Sequence, residues 1–278
     1  MAPSSAEQRH EETTNWGTVI EEGGCVQAHS WIARVKGAFN LVDTSLFASH
    51  YPETPSAPEE AGGGKDLINL ILPGVGVGLG RVGALYTSAM GNKLPAGPGR
   101  PPKDAPCSAY AEAGGGEFDV GIPYIAPLPG AETPMSPVGL HGEGITVTAR
   151  TSPKGPVKFT GRFGRATLSS FGFKVIDVPL DWPPNFGVRI PSNYSMPVIA
   201  QVTLNEQVTT DSKGVETEHY NPKAKSGYVN AGHASLLGSN VGDVTIGHAA
   251  VLYDADQDPG TVVTPPPSPT PTDEVTPD

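Results

Sequence analysis

The sequence predicts an all-β fold, sandwich- or barrel-like, of many short antiparallel strands with long Gly/Pro-rich loops and little helix. Three observations carry this. Segments that alternate apolar and polar residues recur along the chain. Clusters of turn formers separate them: SPKGP, DWPPN, PSNYSMP, GSNVG and DQDPG. Glycine and proline number 35 and 30 of 278 residues, close to twice their average share and too many for long helices.

Taken in order, residues 1–14 read as a disordered arm, and a β-rich domain follows over 15–260. An alternative division of that domain sets two subdomains meeting near 135–155. CVQAHSWIARV (25–35) alternates imperfectly, and GITVTAR (144–150) puts Ile145, Val147 and Ala149 on one face. The remaining predicted strands are VKFTGRF (157–163), FGFKVIDVPL (171–180), VIAQVTLNEQVTT (198–210), GYVNAGHASLL (227–237) and DVTIGHAAVLY (243–253). One short helix is expected near Ala84–Met90. YPETPSAPEEAGGG (51–64) and KLPAGPGRPPKDAP (93–106) read as long surface loops. The end, 261–278, is a Pro/Thr-rich stalk, stiff in polyproline II and unable to pack.

Residues 66–83, DLINLILPGVGVGLGRVG, contain the spacing G-x-G-x-x-G at Gly78, Gly80 and Gly83. A dinucleotide-binding turn needs a helix behind the glycines and an acidic strand end about 20 residues on. ALYTSAMG stops at Gly91, and RPPKDAP stands where the second strand belongs. Read with period 2, Val75, Val77, Leu79 and Arg81 share a face, and the glycines leave the other bare for close backbone approach. The segment is predicted to be a strand.

The net charge of −11 repels a phosphate backbone and argues against nucleic acid as a partner. No run of 18 apolar residues occurs, so no transmembrane segment is expected. The polar start, MAPSSAEQRHEETTNWG, lacks the apolar region of a signal peptide. Cys25 and Cys107 are the only cysteines and have no zinc-type spacing around them. One disulfide closing a long loop in an oxidising compartment is the favoured pairing, against two separate buried thiols.

No nucleophile elbow, H-E-x-x-H helix or metal pair adjacent in sequence is present. His233 and His248 lie on two arms of a predicted hairpin. They share a face if Leu237 pairs with Gly242 and oppose if the register slips by one. Such a pair could bind metal or switch with pH; half-buried strand residues bonded locally is the blander reading and is favoured. Asp254, Asp256 and Asp258 occupy positions 1, 3 and 5 of a calcium-type loop. Pro259 and Pro265 break the pattern, so an acidic turn is favoured over a weak calcium site. No cofactor is expected, calcium at this loop being the alternative. Phe171, Phe173, Trp182, Phe186 and Tyr194 read as core before ligand platform, and Asn193-Tyr194-Ser195 is a glycosylation sequon.

Several phrases together resemble the choice-of-anchor P family of secreted, surface-attached actinobacterial proteins. They are Pro183-Pro184-Asn185, Val202 to Gln207, Val229-Asn230-Ala231-Gly232-His233, and Gly242 to Gly247. The N-terminal half fits more loosely, through LINLILPGVGVGLG and Ser108 to Tyr110. The resemblance implies a β-rich exported domain held at the cell envelope, and no enzymatic activity. The expected function is therefore a non-catalytic, secreted or cell-surface structural or adhesive protein, with the envelope or other secreted proteins as partners. The rivals are a secreted hydrolase of polymer or glycan using carboxylates such as Glu206 or Asp177, and a subunit of a secreted or phage-like particle. The latter should expose a long apolar strand edge.

Overall fold

The computed structural model describes residues 24–37, 42–53, 58–63, 68–71, 78–91, 107–122, 128–130, 132, 135–192, 197–237 and 242–258. The expected arm (1–14), stalk (261–278), sequon (193–195), Val75 and Val77, and loop residues 93–106 lie outside them. Most of what is described is strand, none of it is helix, and two antiparallel sheets pack as a sandwich.

The strands in chain order are β1 (Val26–Gly37), β2 (Val42–Leu46), β3 (Ser49–Tyr51), β4 (Glu60–Gly62) and β5 (Ile68–Ile71). Next come β6 (Gly78–Val82), β7 (Tyr86–Gly91), β8 (Ala109–Ile122), β9 (Val138–Thr151) and β10 (Lys158–Ser170). The last are β11 (Phe173–Val178), β12 (Phe186–Ile190), β13 (Ala200–Thr210), β14 (Ser226–Leu236) and β15 (Gly242–Tyr253). The first sheet runs β12-β13-β14-β15-β1-β2, with β3 also on β1. The second runs β11-β10-β9-β8-β6-β5, with β7 also on β8 and β4 on β7. Cys25 and Cys107 form a disulfide across 82 positions. It ties the start of β1 to the chain just before β8, and so links the two sheets.

One expectation changes. The helix predicted at Ala84–Met90 is instead strand β7, paired with Ala109 to Gly114 of β8. Neighbouring strands overrode a local preference for helix that one short apolar segment could not sustain. The glycine motif ends as β6 followed by β7, so no helix dipole stands behind it. At Gly80 a side chain would collide with the Asp119 and Val120 backbone, the close approach expected of a bare strand face.

The long strands change phase halfway. In β13, Ala200, Val202 and Leu204 face the core between the sheets, whereas Val208 joins a second apolar cluster with Tyr228, Ala250 and Leu252. In β15, Val244 faces the core on one side of the change and Ala249, Val251 and Tyr253 on the other. The switch falls on one row crossing the first sheet, Ile32, Gly247, Ala231 and Asn205, between directly paired neighbours. Gly247 and Asn205 there take left-handed backbone, φ 62° and 48°. Such a residue resets which parity faces inward. The second sheet does the same at Gly116, Gly144 and Gly164: inward residues run Ala109, Ala111, Ala113 before that row and Phe118, Val120 after it.

Candidate functional site

The phase change decides what the outer face of the first sheet carries. Before the row, β1 turns Gln27, His29 and Trp31 outward, opposite Leu252, Ala250 and His248 of β15. β14 adds Asn230 opposite His248, and β13 adds Glu206 opposite Asn230. All six of Gln27, His29, Trp31, His248, Asn230 and Glu206 are buried. Polar groups withdrawn from water seek partners among one another, and Glu206, Asn230, His248 and His29 form a continuous chain of hydrogen bonds.

Glu206 anchors it. Its Oε2 accepts from Asn230 Nδ2 at 2.8 Å and faces His233 Nδ1 at 2.9 Å. A carboxylate only accepts, so the Asn230 amide is oriented with Oδ1 toward His248 Nδ1, 2.6 Å away. That ring nitrogen therefore carries the proton and donates. His248 Nε2 is left bare and accepts from His29 Nε2 at 3.1 Å. One carboxylate thus sets the tautomers of two histidines further along the sheet. On the other side His233 Nε2 lies 2.9 and 2.8 Å from the two Asp243 carboxylate oxygens. With an acceptor at each ring nitrogen, the doubly protonated imidazolium satisfies both carboxylates. Beside it, Gln27 Nε2 donates to His50 Nε2 at 2.8 Å, and the Pro52 carbonyl accepts from His50 Nδ1 at 2.6 Å.

Trp31 lies flat on His248, centroids 3.6 Å apart and planes within 2°. His29 stacks at 5.1 Å from both. Burial holds the His29 and His248 imidazoles well below the usual histidine pKa, with His50 and Arg34 adding repulsion at His29, and His29 and Arg34 at His248. The arrangement therefore couples one charged triad, Glu206–His233–Asp243, to a buried neutral pair.

The hairpin register is Leu236 to Gly242, one step from the pairing that would put His233 and His248 on one face in a regular ladder. They share the outer face regardless, because the phase-change row lies between them. Glu206 and Asn230 connect them; the two rings are not adjacent. Sequence reasoning missed His29, His50, Asp243 and the role of Asn230. The signal was available in β1, where Gln27, His29 and Trp31 stand at alternate positions.

The other sequence candidates lie elsewhere. Asp254 accepts from the Asp256 N–H at 3.0 Å and from Gln257 Nε2 at 3.0 Å, while Asp258 accepts from Tyr253 Oη at 2.5 Å. The Asp254 carboxylate thus caps a turn to which Asp256 lends its backbone N–H, and the Asp258 carboxylate caps a buried phenol. Among the described residues, no group of three His, Cys, Asp or Glu is placed to hold a metal ion. Asp177 is on the second sheet, bonded to Lys174 and Thr167, so it and Glu206 do not share a groove. Of the aromatics, Trp182 packs on Phe163 at 5.8 Å and Phe186 lies against the core. Phe171 and Phe173 are exposed, and Tyr194 is outside the described residues.

No protein-family model, curated protein or solved structure matches this chain. No helix among the described residues is long and apolar enough to cross a membrane.

Proposed function

We propose that the chain is a non-catalytic structural or adhesive module of the cell exterior, of the kind implied by its resemblance to the choice-of-anchor P family. The observation that carries the reading is the buried Cys25–Cys107 bond between the sheets, since such a bond persists in oxidising surroundings and is rare where thiols are kept reduced. Two further observations support it. Three of the phrases behind the resemblance fall on the adjacent strands β13, β14 and β15 and supply Glu206, Asn230, His233 and Asp243 to one face of the first sheet. The carboxylates and imidazoles there bond one another inside the fold, as a satisfied buried polar network does.

The test is fractionation of the producing cells into cytosol, envelope and medium, with thiol alkylation before lysis. Recovery from envelope or medium with both cysteines blocked until reduction is the expected result. Recovery from the cytosol with two alkylated thiols overturns the proposal.

A further inference from the structure

Each kinked edge strand changes neighbour at the phase-change row. Along β1, β2 gives way to β3, and along β8, β6 gives way to β7. Along β13, β12 gives way to a bridge from Thr210 to Glu216 and a bond from Thr217 N–H to the Thr209 carbonyl. β10 differs. β11 covers Ala166 to Ser170, and among the described residues nothing follows it beside Lys158 to Phe163. A cleft of about 430 Å³ borders this open half, between β10, the Leu180 to Pro183 crossover and Asn205 with Gln207 of β13. That volume lies within the range of ligand sites.

Three features make the cleft suited to an occupant. Trp182 lines it, is only 7% exposed, and its indole Nε1 has no hydrogen-bond partner among the described residues. A buried donor left unmatched is costly, and this one belongs to a side chain of the cleft wall. Leu180, 65% exposed, offers an apolar wall. Gly161 presses its backbone against Val229 and Asn230 of the opposite sheet, which leaves Lys158, Thr160 and Arg162 as the residues of β10 turned outward. Among the described residues neither Lys158 nor Arg162 has an acidic partner.

We infer that this half of β10 is a docking edge for an extended acidic peptide segment of a partner protein, added as a further strand. The unpaired main chain supplies hydrogen bonds, and carboxylates on the incoming strand oppose Lys158 and Arg162 across the new pair. A second copy of this edge is disfavoured, because antiparallel self-pairing sets cation against cation, the usual protection of an exposed edge. The inference goes beyond the proposed localisation and does not depend on it.

The probe is the acetylated, amidated peptide Ser-Val-Glu-Val-Thr-Val-Glu-Val-Ser, followed by backbone amide NMR of the intact chain. Saturable shifts confined to Lys158–Phe163 and the Trp182 indole N–H are expected. Methylating alternate peptide nitrogens, or the exposed substitutions Lys158→Glu with Arg162→Glu, should weaken binding about tenfold or more. The doubly substituted protein should instead prefer the peptide carrying Lys for Glu. Absence of saturable binding at millimolar peptide, or equal binding of the methylated peptide, overturns the inference. So does movement of the Trp182 signal by a tetrameric N-acetylglucosamine oligosaccharide and not by the peptide, which would make the cleft a saccharide subsite.

Discussion

Acidification should unfold this protein through His29 and His248. Both rings are neutral in the fold, with pKa values held well below 6.5 by burial. In the unfolded chain each takes up a proton as pH falls below about 6.5. The unfolded state then binds more protons, so stability present above pH 6.5 is lost as pH falls through that value and toward the depressed folded one. If both rings stay neutral to pH 5, each contributes a loss of about 2 kcal/mol between pH 7.5 and 5, or about 4 kcal/mol for the pair. Guanidinium unfolding at half-unit pH steps measures it. His248→Gln removes one titrating ring, and the slope below pH 6 should fall by about one proton, or about 1.4 kcal/mol per pH unit. An unchanged slope in the variant would refute the assignment of buried neutral rings.

Other consequences are as specific. Gly247→Ala places a Cβ 2.7 Å from Val147 Cγ2 and 3.0 Å from Ile145 Cγ2 at φ 62°; it should cost about 1–3 kcal/mol from the backbone alone, read as a lower denaturant midpoint. Replacing Cys25 and Cys107 together by Ser removes a cross-link over 82 positions and should lower stability by about 4–5 kcal/mol on the chain-entropy model, with no change in the pH slope. The Tyr86 phenol is pushed up to about 12 by burial and then by Glu112 beside it. Glu112→Gln should bring its ultraviolet titration part of the way back toward about 10.

What the sequence revealed follows from pattern length. VIAQVTLNEQVTT and DVTIGHAAVLY gave their strands because hydrophobic alternation survives over several residues on either side of the phase change. β8 was hidden: its alternating alanines and the run Gly114-Gly115-Gly116 carry almost no hydrophobic signal, although it is among the longest strands. Its stability comes from partners far away in the chain. β7 looked helical for the converse reason, a short run whose partner strand lies beyond a loop. Cys25 and Cys107 were legible as a pair because no others compete. The network was not legible, since Glu206, Asn230, His233 and His248 come from three strands. Only a left-handed residue at 205 and at 247 puts them on one face, and period-2 counting across those positions gives the opposite parity.

Long-range ¹⁵N–¹H spectra of the imidazole rings at neutral pH test the connected network most directly. The bonding pattern requires His248 protonated at Nδ1 with Nε2 bare, His29 protonated at Nε2, and His233 protonated at both nitrogens. A proton on His248 Nε2, or a rapidly averaging His248 ring, would contradict it, because the chain from Glu206 through Asn230 would then be broken.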